Sequence, residues 1–325
     1  MLPQPHIRLS FCIATFNRAA FVGDTLEALV GQITDECEIV VTDNASTDNT
    51  EQVVADYQRR FKRLRYFRHE TNVGFDRNYD SAVMLARGDF CWLMADDDTL
   101  KPGAVTCVLD ALSSDLSLIL VNMEMRDFSM SEVKSPRWIN IEYDRLYEPG
   151  DMDRFFIDLL RNLGSVSNIV IRRSIWISRD RERLDGSLFI HVGVIFQAPL
   201  PGRVLVMATP LMNYRLGNNY ERWYRDEGAI KIVLQKWPSL IDSLAVSEVA
   251  KAQAIKLSRP FSALLGLRCG GYSLTHYCRW IRPRVNSGYE AFTPIFVALL
   301  PRGLASLLLV FEDKIQKLKQ TLQSA

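Results

Sequence analysis

Residues 89–103 read Asp-Phe-Cys-Trp-Leu-Met-Ala-Asp-Asp-Asp-Thr-Leu-Lys-Pro-Gly, an apolar run that stops at three consecutive carboxylates. Phe90 to Ala95 has the length and composition of a buried strand. Asp96, Asp97 and Asp98 would then emerge at its carboxyl end, where open α/β sheets carry their ligand chemistry. Three adjacent acids repel one another unless a cation or solvent offsets the charge. A divalent metal meets that need, because hard oxygen ligands suit Mg²⁺ or Mn²⁺ and Mg²⁺ is typically held by one or two carboxylates plus substrate phosphates. The alternative is a solvated acidic turn before a helix, where Asp is favoured by capping and by the helix dipole. The triplet alone does not separate the two.

Strand and helix alternate on the amino-terminal side of this stretch. Ile7 to Ala14 reads as a strand, Phe21 to Gln32 as an amphipathic helix, and Glu38 to Thr42 as a second strand. The turn-forming run Asp43-Asn44-Ala45-Ser46-Thr47-Asp48-Asn49-Thr50 follows, rich in side chains that bond local backbone. Thr50 to Phe61 places Val53, Val54, Tyr57 and Phe61 on one helical face, Leu64 to His69 is a third strand, and Asp76 to Arg87 is a helix that Gly88 would close. This alternation predicts a mostly parallel sheet with helices on its faces.

Beyond Pro102, helices are expected over 104–112 and 152–163, strands over 116–125, 167–172 and 203–214, and a loop or edge hairpin over 126–150. Residues 188–197 fit either period. Two long helices, 226–244 and 247–267, lead into a helical tail. The predicted division is an α/β domain over 1–225 and a helical, basic appendage over 226–325.

Nearly half of the 325 residues are hydrophobic, enough for a sizeable core, and the net charge of +1 argues against a chain that coats nucleic acid. Charge is unevenly spread. From Lys251 onward eleven Lys and Arg face three acids, a net of +8, which leaves −7 for the preceding 250 residues. The six cysteines form no C-x-x-C pair, and Cys12 and Cys91 fall in core strands, so reduced thiols and a cytoplasmic setting are expected. No secretory leader pattern opens the chain. No apolar run reaches eighteen residues, and the longest candidate, 292–311, contains Pro294, Pro301, Arg302 and Gly303.

Four ordered segments carry a family resemblance. Cys12 to Arg18 is similar to a P-x-Y-N-R opening, and Glu38 to Thr50 contains D-N-x-S-x-D-x-T. Asn72-Val73-Gly74 with Arg77-Asn78 and Gly88-Asp89 precedes Leu93 to Pro102, which matches a metal motif. Together they resemble the nucleotide-sugar-dependent glycosyltransferases of the GT-A fold, family 2, strongly over 7–125 and faintly to 225. Within the family, Cys91-Trp92 before the acids and the spacing to His191 and Pro210-Leu211 suggest the bacterial O-antigen sugar transferases, including abequosyltransferases. One departure is Ala95, where the family usually has an aspartate. Asp96 and Asp98 still make a D-x-D, which leaves the metal ligand open among three acids.

The resemblance implies the remaining roles. Thr15, Phe16 and Arg18 would lie beside the nucleobase, and Asp43 would accept from base or ribose, with a turn or helix cap as its alternative. Asn44 and Ser46 would shape the loop. Arg77 would reach donor phosphates, and Asp96 to Asp98 would hold ribose on one side and Mn²⁺ or Mg²⁺ on the other, where the cation stabilises the leaving diphosphate. Family members carry an acidic pair about 90 residues further on, whose aspartate is the base. Here His191 stands near that place, and a neutral imidazole is a competent base. Asp185, ahead of Gly186, is the runner-up, and a packing or metal-binding histidine is the alternative for His191. Arg222 and Trp223 loosely echo a Q-x-x-R-W loop that touches acceptor or diphosphate.

The implied partners are a nucleotide-diphosphate sugar and a polyprenyl-diphosphate-linked glycan acceptor in lipopolysaccharide synthesis. The tail mixes positive charge with aromatic and apolar residues, which suits an anionic membrane surface at the cytoplasmic leaflet. A helical subdomain or a homo-oligomer interface is the alternative. A dinucleotide-dependent oxidoreductase would need a G-x-G-x-x-G turn after the first strand, and Thr15 to Arg18 contains no glycine. A noncatalytic nucleotide-sugar-binding scaffold of the same fold is the more serious rival.

Overall fold

The structure, a computed structural model, describes residues 6–217, 227–258, 261–285 and 288–323. Two compact units emerge: Met1–Leu216 with Ser243–Ala250, and Gly217–Asp242 with Lys251–Ala325. The boundary expected at residue 225 falls inside the second unit, outside the described residues.

The first unit is built on a ten-stranded sheet. Four parallel strands form one side: β1 (Leu9–Thr15), β2 (Cys37–Asp43), β3 (Leu64–Arg68) and β4 (Phe90–Met94). They carry the Ile, Val, Phe and Leu residues that burial on both faces selects. The order continues through β9 (Ile169–Arg172), β6 (Leu116–Arg126), β10 (Arg203–Arg215) and β5 (Thr99–Leu100), giving β3-β2-β1-β4-β9-β6-β10-β5. β9 runs antiparallel between β4 and β6, and β5 antiparallel to β10. Residues 126–150, expected as a loop or hairpin, contain β7 (Val133–Ser135) and β8 (Arg145–Tyr147). These pair with β6 and β10 instead of with each other.

Helices α1 (Val22–Val30), α2 (Thr50–Arg60), α3 (Phe75–Leu85) and α4 (Ala104–Ala111) follow β1, β2, β3 and β5. Val22, Leu26, Leu29, Val54, Val105 and Val108 join Phe11, Ile13, Ile39 and Trp92 in one core. Further along lie α5 (Met152–Leu159), α6 (Arg173–Ser178) and α7 (Ile190–Phe196), so the ambiguous stretch 188–197 is helical. The return segment is tied back where Ala245 N donates to Phe196 O at 2.7 Å and Ser247 N to Asp153 Oδ1 at 2.9 Å.

The second unit is helical. The stretch expected as one helix over 226–244 runs as Glu227–Lys231 and Trp237–Ser243 around a wider π turn, Ile232–Lys236. The one expected over 247–267 is two helices, Glu248–Leu257 and Phe261–Cys269. Pro260 separates them in the sequence, and proline breaks the i to i−4 ladder. Leu264, Leu265, Tyr272, Ile281, Val297 and Ala305 share this unit's own core.

Register brings the expected site together. In the parallel ladders Thr15 faces Asp43, and Ile13 faces Met94, so the ends of β1, β2 and β4 stop in line. Gly88 contributes to that alignment in an unforeseen way. α3 ends at Leu85 with Ala86 already extended, so Gly88 is not its cap. Gly88 N instead donates to Ser10 Oγ at 2.8 Å. A Cβ at residue 88 would lie 2.7 Å from Ser10 N and 2.9 Å from Phe90 O. Both are backbone atoms that cannot swing aside. Ser10 Oγ in turn donates to buried Glu38, which also accepts from Arg87 N at 2.6 Å. Gly88→Ala should therefore destabilise the protein by about 1–3 kcal/mol, the range for overpacking a tight interior. An unchanged urea midpoint would contradict the close approach.

Candidate active site

The loops after β1 and β2 are closed onto each other by the D-N-x-S-x-D-x-T residues. Ser46 Oγ accepts from Asn17 N at 2.9 Å, Thr50 Oγ1 from Arg18 N at 2.9 Å, and Asp48 Oδ2 from Ala19 N at 3.0 Å. Asn17 adopts a positive φ of 54°, and its Oδ1 accepts from Thr47 N at 2.7 Å. Asn44 bridges to the next loop, donating to Asn72 Oδ1 and accepting from Val73 N. Asn44 and Ser46 thus shape the loops, as expected.

Asp43 is wholly buried. Its Oδ1 accepts from Ser46 N at 2.8 Å and its Oδ2 from the Tyr66 hydroxyl at 2.6 Å. Burial, then the hydrogen bond to Asp43, pushes the Tyr66 phenol well up, so it stays a donor. Thr15 is buried at the end of β1, with its carbonyl accepting from Asn44 N and Asn78 Nδ2. Phe16 next to it is 43% exposed, an aromatic face open at the strand edge.

The three acids differ sharply. Asp98 is 1% exposed, and both its oxygens are engaged: Oδ1 accepts from Arg215 N at 3.0 Å and Oδ2 from Ser167 Oγ at 2.6 Å. Its carbonyl accepts from Thr25 Oγ1 of α1 at 2.8 Å. Asp96 is buried beside Arg18, with Nε to Oδ1 at 3.5 Å. Burial, then the charge of Asp97, pushes the Asp96 carboxyl up to about 7, against the pull of Arg18. The same two causes push Asp98 up to about 8, against its hydrogen bonds. Asp97, partly exposed, is the acid whose charge both neighbours resist. Asp98 thus links the end of β4 to the start of β9 and the end of β10.

Long-range pairing supplies two residues that the sequence reading missed. β9 runs antiparallel to β4, so Ser167, just ahead of it, lands beside the strand end and also accepts from Ala95 N at 3.0 Å. Arg215, the last residue of β10, lies across from the triplet. Its Nε donates to Asp97 O at 3.0 Å, Nη1 to Phe128 O at 2.8 Å, and Nη2 to Asp24 at 3.0 Å, with the guanidinium 5.3 Å from the Phe21 ring centroid. A lone arginine ending an apolar strand was the available signal.

Residues of α3 organise the opposite flank. Buried Asp76 accepts from Leu188 N at 2.9 Å and Ile190 N at 3.1 Å, holding Leu188 at a positive φ of 68°. Arg77 Nε pairs with Asp185 Oδ2 at 2.7 Å. Two residues expected in separate roles thus meet. His191 lies in α7, 1% exposed, with Nε2 2.8 Å from Leu163 O. Its Nδ1 has no hydrogen-bond partner among the described residues. Burial pulls its pKa down to about 4. The imidazole expected as the base is thus enclosed, with one ring nitrogen fixed to a backbone carbonyl. Arg222 and Trp223 lie outside the described residues.

No group of three or more His, Cys, Asp or Glu side chains among the described residues converges to hold a metal ion. A crowded acidic turn with one partly exposed carboxylate nevertheless fits a cation completed by substrate phosphates, as Mg²⁺ usually is.

Residues 10–175, more than half of the chain, match the family model described as glycosyl transferase family 2, and the chain belongs to that family. Abequosyltransferase RfbV of Salmonella typhimurium is 26% identical over 273 residues, 79% of each chain. The GalNAc(5)-diNAcBac-PP-undecaprenol beta-1,3-glucosyltransferase of Campylobacter jejuni is 28% identical over 116 residues, 35% of this chain and 38% of its own. Among solved structures, S. aureus TarS 1–349 in complex with UDP-GlcNAc superposes with a TM-score of 0.60 at 18% identity, covering 90% of this chain and 79% of that one. Mannosyltransferase PcManGT of Pyrobaculum calidifontis, in complex with GDP-Man and Mn²⁺, gives 0.50 at 14% identity, covering 95% and 89%. The fold is GT-A and the protein is a glycosyltransferase, related in sequence to O-antigen transferases.

The acids should separate by mutation. Asp98→Ala leaves Ser167 Oγ and Arg215 N without their acceptor and should cost about 1–3 kcal/mol of stability. Asp97→Ala should leave the unfolding midpoint near that of the parent while lowering transfer about a hundredfold. Equal melting curves for the two variants would overturn the division of roles.

His191 predicts a pH signature. Its folded pKa lies below the unfolded value of 6.5, so between about 4 and 6.5 the unfolded chain binds the extra proton. Stability therefore rises with pH across that window and is lost as pH falls, by about 3 kcal/mol from this group. Urea titrations of His191→Gln should show a shallower loss than the parent between these pH values. Parallel curves would place His191 in contact with solvent.

Proposed function

We propose that the chain transfers a sugar from a nucleoside-diphosphate donor to a hydroxyl of a lipid-linked oligosaccharide, with a divalent cation and with inversion, at the cytoplasmic face of a membrane. The observation that carries the reading is the alignment of Thr15, Asp43 and the Asp96–Asp98 turn at one edge of the parallel strands, within the segment that matches the family. Relatives and fold neighbours support the two substrates. One is a transferase onto a PP-undecaprenol-linked glycan, and fold neighbours were solved with UDP-GlcNAc and with GDP-Man and Mn²⁺.

In this reading Phe16 offers its exposed ring to the base, and Asp43 fixes the loop that receives base and ribose. Asp97, with Asp96 beside it, would hold Mn²⁺ or Mg²⁺, which when bound neutralises the departing diphosphate. Asp185 takes the proton of the acceptor hydroxyl. Partial exposure beside Arg77 favours it over the enclosed His191. The acceptor oxygen bonds to the anomeric carbon as the bond from that carbon to the phosphate oxygen breaks. Attack from the face opposite the leaving group inverts the centre.

A panel of UDP-, GDP-, CDP- and dTDP-sugars, with EDTA or with Mn²⁺, tests this directly. One donor should support transfer to a polyprenyl-diphosphate-linked glycan, chelation should abolish it, and Asp185→Asn should lower kcat about a hundredfold or more while leaving the donor KM nearly unchanged. Binding without turnover of every donor would favour a noncatalytic nucleotide-sugar-binding protein.

A further inference from the structure

We infer that helices Gly288–Leu299 and Arg302–Gln323 form a bent amphipathic anchor whose outer face lies within one leaflet of an anionic membrane. This rests on the proposed lipid-linked acceptor and names the element that meets the lipid. The segments Ala291–Leu299 and Arg302–Phe311 are joined through two residues and bent by 119°. Their inner faces are committed to the second unit's core through Val297, Leu300 and Ala305. The connecting turn is fastened there by Arg268, whose Nε donates to Leu300 O at 2.6 Å, and the first helix by the Tyr272 hydroxyl, which donates to Pro294 O at 3.2 Å.

The outer faces are apolar as well. Phe292, Phe296 and Leu299 on the first arm, and Leu304, Leu307 and Phe311 on the second, recur at three- and four-residue spacing and are between 44% and 69% exposed. A helix that is apolar on both faces requires burial on both. Contiguous exposed patches of this kind mark protein or membrane contacts. From 291 to 311 the sequence carries one charged residue, Arg302.

Length and charge decide what covers the patch. The apolar segments of the two helices, nine and ten residues, each span roughly 14–15 Å, about half of the ~30 Å hydrocarbon thickness, and the second helix runs on to Gln323 through a charged sequence. Among the described residues no single helix is long and apolar enough to cross a membrane. With its inner face held by protein, the pair fits an interfacial position, where an amphipathic helix sinks one side below the headgroups. Arg279, Arg282, Arg302 and Lys314 of the same unit are exposed, within a tail of eleven basic and three acidic residues. That surplus suits phosphate headgroups.

Flotation of the full chain with vesicles of phosphatidylcholine, with and without phosphatidylglycerol, tests the anchor. The parent should float with the anionic vesicles. Leu307→Glu with Phe311→Glu, and separately Phe292→Glu with Phe296→Glu, should each weaken binding about tenfold or more. Thermal melting and donor binding of both variants should stay unchanged, since neither pair lies in the catalytic unit. Unchanged flotation of both variants overturns the inference, as does a parent that fails to float. A parent that is dimeric by light scattering and made monomeric by these variants, with no vesicle binding, also overturns it and assigns the face to a second copy. A chain that floats but turns over no nucleotide sugar would instead refute the transferase reading and leave the anchor standing.

Discussion

One buried carboxylate holds the site together. Asp98 accepts from Ser167 ahead of β9 and from the backbone of Arg215 at the end of β10, while its own carbonyl receives Thr25 of α1. Three distant parts of the chain are thereby fastened to the end of β4. A buried acid of this kind is costly unless its lone pairs are used. The cost is offset by hydrogen bonds that arrive from fixed backbone and from a serine already positioned by Ala95 N. Because Asp98 is committed inward, its neighbour Asp97 is left partly exposed. Burial, and then the repulsion of Asp97, raise Asp96 and Asp98 as the electrostatic counterpart of that arrangement. A bound cation would relieve that repulsion.

The rest of the first unit supports the same edge. Ten strands differ in direction, yet those that end at the site, β1, β2, β4, β6 and β10, run parallel in their shared ladders or connect through β9. The loops after β1 and β2 are crosslinked by side-chain acceptors, so the surface expected to receive the nucleotide is braced by the protein's own hydrogen bonds. α3 holds the other flank through Asp76, Arg77 and Asp80, the last paired with Arg181 at 2.8 Å and accepting from Trp176 Nε1 at 2.8 Å. Preorganisation of this sort reduces what must be ordered during reaction.

Local pattern made much of this legible. Alternating apolar runs and polar turns gave the first four strands and their helices to within a few residues. Ser46, Asp48 and Thr50 were readable as turn formers from their residue types, although the backbone groups they accept from, on Asn17, Arg18 and Ala19, lie in the preceding loop. Features that depend on pairing at long range were not readable. The antiparallel insertion of β9 brings Ser167 to Ala95 across seventy-two residues, and Arg215 reaches Asp24 across 191. No periodicity in either segment encodes those partners. Gly88 was read as a helix cap because glycine after a helix usually is one. Its real constraint is the backbone of a strand seventy-eight residues away. His191 looked reactive because it stands, among apolar neighbours, near the place where the resembled family carries its base. The same neighbours enclose it.

The central claim is that Asp97 is the exposed carboxylate on which a divalent cation and the donor diphosphate meet. Titration of Mn²⁺ into the protein with donor nucleotide present, followed by the electron paramagnetic resonance signal of the free ion, tests it most directly. The account predicts one Mn²⁺ site that requires nucleotide for tight binding and is lost in Asp97→Asn. Undiminished Mn²⁺ binding in that variant would contradict it.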